Sequence, residues 1–191
     1  MKSHFLFCLF LSVFTAKLTF ADREISSNVE FKIAFGSCGK QTHPLPIFDE
    51  VIKQDPNIFI FLGDNIYGDT NDMDILRKKY QELGTKESYK HLIENTEVLA
   101  TWDDHDYGQN DAGKHYPHKV ESKEIFLEFF KEHKNSERYT HKGIYHSVYK
   151  KAGNKIIQVI LLDNRTFRDD LVRFPKGQKI PGRFFYRPDY L

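Results

Sequence analysis

Two short runs carry the residue types that can do chemistry in this chain. Phe61-Leu62-Gly63-Asp64-Asn65-Ile66-Tyr67-Gly68-Asp69 and Ala100-Thr101-Trp102-Asp103-Asp104-His105-Asp106-Tyr107-Gly108 both start apolar and end in carboxylates, an imidazole or a phenol. A strand that ends this way presents metal ligands or acid–base groups at one rim of a sheet. A third strand end, Phe35-Gly36-Ser37-Cys38, adds a thiol. Thiolate, carboxylate and phenolate together make a hard anionic cage for Fe3+, whereas carboxylate and amide oxygens suit Ca2+, Mg2+ or Mn2+. Asp64 directly follows Gly63, a position from which its carboxylate can bridge two ions. Two ions about 4 Å apart clamp a phosphate and polarise an attacking water. The chain therefore reads as a metal-dependent hydrolase, or as a piece of one.

Each residue also has a plainer reading. A lone Asp after Gly at a strand end commonly caps a turn. Cys38 is the one cysteine outside the first 21 residues, since the other is Cys8, and a buried inert thiol is its alternative role. Four ionisable groups in a row, Asp103 to Asp106, are less easily explained as a solvated loop. His91, His133, His141 and His146 read as surface or packing residues; His115 and His118 lie in the 103–118 loop, from which they could reach a substrate, and read first as solvent-exposed. The segments 69–74 and 104–106 lack the sixth-position glycine and twelfth-position glutamate of a calcium-binding loop. Neither a glycine-rich phosphate loop nor a Gly-x-Ser-x-Gly elbow is present, so nucleotide binding and serine hydrolysis have no support.

The elements that must position these groups alternate. Val29–Ala34 predicts a strand that enters a glycine-rich loop, and Leu45, Ile47, Phe48, Val51 and Ile52 recur at helical spacing until Asp55-Pro56. Asn57–Leu62 is a continuous apolar run, as in a strand covered on both faces. Asn71 or Asp72 can cap a helix that reaches about Leu83 and ends at Gly84, and a second helix runs from about Lys86 to Glu94. Glu97–Trp102 predicts a strand, 103–118 a polar loop, and Glu121–His133 an amphipathic helix. Gly143–Tyr149 and Lys155–Leu162 predict a hairpin turning through 150–154, whose second strand ends in Asp163-Asn164-Arg165. The fold class is α/β, layered, with functional loops at the strand ends.

Met1–Ala21 has the order of a secretory signal peptide cleaved after Ala21: Lys2, an apolar stretch from Phe5 to Ala16, then Thr19-Phe20-Ala21 before charged residues. An uncleaved anchor is the alternative. The expectation is a secreted or periplasmic protein whose mature chain, residues 22–191, has no membrane span. Losing residues 1–21 removes Lys2 and Lys17 and no acid, which moves the formal charge from +1 to −1. Neither nucleic acid nor an anionic membrane is suggested as a partner by that balance.

Phe-Gly-Ser-Cys at 35–38, the 61–69 run, the 100–108 run and Leu-Leu-Asp-Asn-Arg at 161–165, in that order, resemble the PhoD-like alkaline phosphatases. These are phosphatases and phosphodiesterases of the calcineurin-like metallophosphoesterase superfamily. The resemblance implies an α-β-β-α metallo-dependent phosphatase fold over residues 22–191, cut short after its first half. It implies Cys38 and Tyr67 as iron ligands, Asp64 as the bridging ligand, and Asp104 as a ligand of a second site that can hold calcium. Mn2+, Mg2+ and Zn2+ are the alternative ions. His105 would stabilise phosphoryl oxygens or protonate the leaving alkoxide, and Arg165 would steady the site or contact phosphate. The implied substrate is a phosphate ester, attacked in line by metal-activated water. The family's second half, with further ligands, is expected as a missing partner, and without it a broad apolar face should stay uncovered. The contrasting expectation is a catalytically inactive half-domain that binds metal or needs that partner.

Overall fold

The computed structural model describes residues 31–171. The proposed cleavage after Ala21 and the aromatic tail 182–191 lie outside the described residues.

Three four-residue strands, β1 (Ile33–Gly36), β2 (Ile58–Phe61) and β3 (Glu97–Ala100), form a parallel sheet in the order β1-β2-β3. Parallel neighbours need crossover connections, and helices supply them. Helix α1 (Ile47–Lys53) joins β1 to β2; α2 (Met73–Gly84) and α3 (Glu87–Asn95) join β2 to β3. All four residues of β2 are buried, as its unbroken apolar run predicts. Phe59 and Phe61 point into the larger core under the helices, where Phe48 meets both edge-on at ring distances of 5.8 and 5.6 Å. Ile58 and Ile60 point to the opposite face and pack with Leu161.

After β3 come a single helical turn, α4 (Asp104–Tyr107), then α5 (Lys119–Phe129) and a second short turn, α6 (Glu137–Thr140). The antiparallel pair β4 (His146–Ala152) and β5 (Lys155–Leu161) makes a separate two-stranded sheet. Its Leu161 and Val159 close the face of the first sheet that carries Ile58 and Ile60, which yields the two-sheet, helix-backed layering. The outer face of β4 and β5 leaves Tyr149, Ile156 and Ile160 exposed, with Leu162 just beyond.

Three local expectations are corrected. The polar loop after β3 begins as α4, because Asp103 and Asp106 form a reciprocal capping box that makes a helical turn out of what reads as loop. Strand pairing runs through Lys150-Lys151-Ala152, so the hairpin turn contracts to Gly153-Asn154; Gly153 takes the positive φ of 59° that a two-residue turn requires. Helix α5 starts two residues before the expected Glu121 and stops at Phe129, short of His133. At α2 the choice of cap falls to Asp72, which accepts from the N–H groups of Asp74 and Ile75, while Gly84 is the last helical residue and Thr85 follows as C-cap.

Candidate metal centre

The register Gly36↔Phe61 and Phe61↔Ala100 ends the three parallel strands level with one another. The loops that leave them are therefore neighbours, and three stretches distant in sequence share one rim. Leu62 N–H donates to Gly36 carbonyl at 2.8 Å, Cys38 N–H to Gly63 carbonyl at 3.2 Å, and Thr101 N–H to Phe61 carbonyl at 2.9 Å, which extends the alignment past the strands. Gly63 has φ 112°, and a Cβ there would stand 2.7 Å from the Cβ of Asp103, so the two ligand-bearing loops meet where only glycine fits.

Cys38, Asp64 and Asp69 all hold left-handed backbone, with φ of 62°, 52° and 45°. Non-glycine residues in that region are costly, and their concentration on one rim marks a place where side-chain aim outweighs backbone comfort. The Asp64 carboxylate lies in the middle. Its Oδ2 accepts from the Cys38 thiol at 3.6 Å, whereas its Oδ1 is buried and has no hydrogen-bond partner among the described residues. Burial pushes the Asp64 carboxyl above its usual range, with Asp104 and Asp103 adding to the shift and His105 opposing it. Tyr67 lies on the Cys38 side: burial, Cys38 and Asp64 push its phenol up to about 12.

One donor atom each from Asp64, Asp104 and His105 lie within 4.8 Å of one another. Asp104 is buried, and its Oδ2 accepts from the Asp111 N–H at 2.8 Å. The His105 ring lies 4.3 Å from the Tyr67 ring, and its Nδ1 is 2.6 Å from Asp69 Oδ1. Burial alone would lower the His105 imidazole; the Asp69 hydrogen bond and the nearby carboxylates outweigh it and raise the group above its ordinary value. Five of the six residues singled out from sequence thus converge. The sixth, Arg165, engages carboxylates: it pairs with Asp103 and lies 3.5 Å from Asp104 Oδ1. Of its two expected roles, steadying the site is the one this geometry favours. Cys38 is exposed, which removes the reading of a buried inert thiol.

Several supporting residues have roles that the local sequence does not give, even where, as with Asp106, the run they sit in stands out. Asp106 is fully buried; its two oxygens accept from Asn65 N–H at 2.7 Å and Asp103 N–H at 2.6 Å, tying the loop after β2 to the loop after β3. Gln41, also buried, accepts from Tyr67 N–H at 2.9 Å, and Lys79 of α2 donates to the carbonyls of Tyr67 and Gly68 at 3.0 and 2.6 Å. Asp69 sits in the recognised 61–69 run, but only the fold carries it back to His105.

The donor set fits metal ions. A buried carboxylate oxygen without a partner is costly, and a cation is the simplest group to satisfy Asp64 Oδ1. Thiol, phenol and carboxylate together suit a ferric ion, and the carboxylates of Asp64 and Asp104 suit a hard divalent ion.

No family's sequence model matches this chain, and no curated protein matches it in sequence. In three dimensions the solved structure of PhoD overlays it with a TM-score of 0.56. The fold is PhoD-like. The overlay covers 73% of this chain at 19% sequence identity, and 32% of the PhoD chain, so the protein spans about a third of the length of the structure it matches. The PhoD-like α/β architecture, with its parallel sheet, is the one the strand-end motifs imply. Among the described residues, no helix is long and apolar enough to cross a membrane.

Proposed function

We propose that this chain belongs to a metal-dependent phosphoric ester hydrolase, a PhoD-like phosphatase or phosphodiesterase that acts after export, and that it supplies the ligand set built on Cys38, Asp64, Tyr67 and Asp104. The observation that carries this reading is the buried, unpartnered Oδ1 of Asp64, whose carboxylate meets the Cys38 thiol and shares a cluster with Asp104 and His105. Bound ions, Fe3+ with Cys38, Tyr67 and Asp64 and Ca2+ with Asp64 and Asp104, or Mn2+, Mg2+ or Zn2+ in their place, would supply charge that polarises water and the phosphoryl oxygens.

The remaining work falls to the protein's own groups. With Asp69 accepting from Nδ1–H of His105, Nε2 of the protonated imidazole is free to donate to a phosphoryl oxygen or to hand its proton to the leaving alkoxide. Arg165 offsets the charge of Asp103 and Asp104, so that two adjacent carboxylates can face one site. Substrate is a phosphate ester recognised at this rim, and residues 1–21 direct export with cleavage after Ala21.

Asp64→Asn keeps the shape of the side chain and removes its charge. Metal content, measured by elemental analysis after dialysis, should fall together with hydrolysis of a chromogenic phosphodiester. A variant that retains both would exclude Asp64 as the shared ligand. A second reading is favoured by the exposed apolar row Tyr149, Ile156 and Ile160 on the outer hairpin face: a metal-binding half that is active only with a complementary polypeptide. A chain that binds metal through Asp64 yet hydrolyses nothing selects that reading.

A further inference from the structure

Away from the metal centre, a cavity of about 710 Å³ opens between the 109–118 loop, the start of α5, the link from α6 to β4 and the loop after β5. It shares no residue with the metal ligands. Lys114, Lys119, Lys123 and Lys142 line it, Val120 and Phe167 give it apolar wall, and among the described residues no carboxylate residue takes part in its lining.

Two of the basic groups are already matched: Lys114 pairs with Asp169, and His115 pairs with Asp170 at 2.9 Å. Among the described residues, Lys119, Lys123 and Lys142 have no carboxylate within 4.0 Å. Lys119 Nζ donates to the Lys114 carbonyl at 2.8 Å. Lys123 is 7% exposed, and its Nζ donates to the carbonyls of Tyr139 and His141. Two neutral acceptors leave one N–H without a partner, and the charges of Glu124 and Asp163 reach that ammonium only from beyond ion-pair distance, so a buried charge stands without a close counter-charge, which is expensive. His141, also in the wall, has a buried Nδ1 without a hydrogen-bond partner among the described residues. The volume falls within the range of small-molecule sites.

We infer that this cavity is a binding site for an organic phosphate monoester, with the dianionic head among Lys119, Lys123 and Lys142 and an aromatic or aliphatic body against Val120 and Phe167. Three unmatched ammonium groups suit a dianion, and the apolar wall distinguishes such a ligand from inorganic phosphate.

The test is calorimetric titration of the full chain with phenylphosphonate, which cannot be hydrolysed, and with methylphosphonate, which lacks the ring. Phenylphosphonate should bind more tightly than methylphosphonate. The double variant Lys119→Ala/Lys142→Ala should weaken it about tenfold or more, as expected for lost charge-assisted contacts. Lys123→Met should do the same if circular dichroism shows it folded, and the double variant carries the test if it is not. Asp64→Asn should leave this binding unchanged. Binding that survives the double variant but is lost in Asp64→Asn would assign the anion to the metal centre and overturn the inference, as would no binding at millimolar ligand.

Discussion

Tyr67 and Asp106 show how differently two residues of one rim act. Tyr67 offers a phenol that burial and its anionic neighbours keep protonated well above neutral pH, so iron must displace that proton to gain a phenolate ligand. Iron-loaded protein should show a visible phenolate-to-iron charge-transfer band that Tyr67→Phe removes; a band that survives in that variant would exclude the phenol as ligand. Asp106 reaches no ligand position, yet it holds two loops in register through hydrogen bonds 2.6 and 2.7 Å long. Asparagine in its place presents an NH2 to one of those two N–H donors, which leaves a buried donor unmatched at about 1–3 kcal/mol. Asp106→Asn should therefore lower stability in chemical denaturation by that order and weaken metal binding at the same time. Unaltered metal affinity would confine its role to folding.

The elements meet at a partly buried carboxylate, Asp163, just after β5. Its Oδ1 accepts from Trp102 Nε1 at 3.0 Å, Arg165 N–H at 3.0 Å and Thr166 N–H at 2.9 Å; its Oδ2 accepts from Ile144 N–H at 2.8 Å and the Thr166 hydroxyl at 2.7 Å. One side chain thus links the end of β3, the entry to β4 and the exit of β5. Burial pushes its carboxyl up, but the bonds from Trp102, Thr166 and Ile144 outweigh burial and hold it below the ordinary value of 3.8. A carboxyl whose folded value is lowered contributes stability above its unfolded value and loses it as pH falls through the folded one. Denaturation midpoints should accordingly decline below about pH 4. Asp163→Asn should be destabilised at pH 7 by about 1–3 kcal/mol and lose less stability across that acid window. Equal acid sensitivity in variant and parent would move the effect to other carboxyls.

At the scale of the whole molecule, metal binding at this rim would be linked to folding, because a site assembled from three loops exists only when the strands are stacked. Ligands that bind the folded state alone stabilise it by mass action, about 2.7 kcal/mol at a hundred times the dissociation constant. Iron and calcium should raise the thermal midpoint of the parent and leave that of Asp64→Asn where it was; equal shifts in both would place the ions elsewhere. Much of this was legible in the one-dimensional pattern. An unbroken apolar run such as Ile58–Phe61 needs no tertiary information to read as a strand buried on both faces, and the polar groups directly after it must emerge at the strand's end. Cys38, Asp64, Tyr67 and the Asp103–Asp106 run are singled out for that reason, and the choice of Asp104 and His105 within the run comes from the family resemblance. The layering and the family likeness followed from the same local order. What only the tertiary structure decided are the partnerships across long gaps: Asp69 with His105 over 36 residues, Asp106 with Asn65 over 41, and Arg165 with Asp103 over 62. Periodicity reports which side of its own element a residue faces. It contains nothing about which distant loop lies opposite, and that is set by the parallel stacking that brings Gly36, Phe61 and Ala100 level.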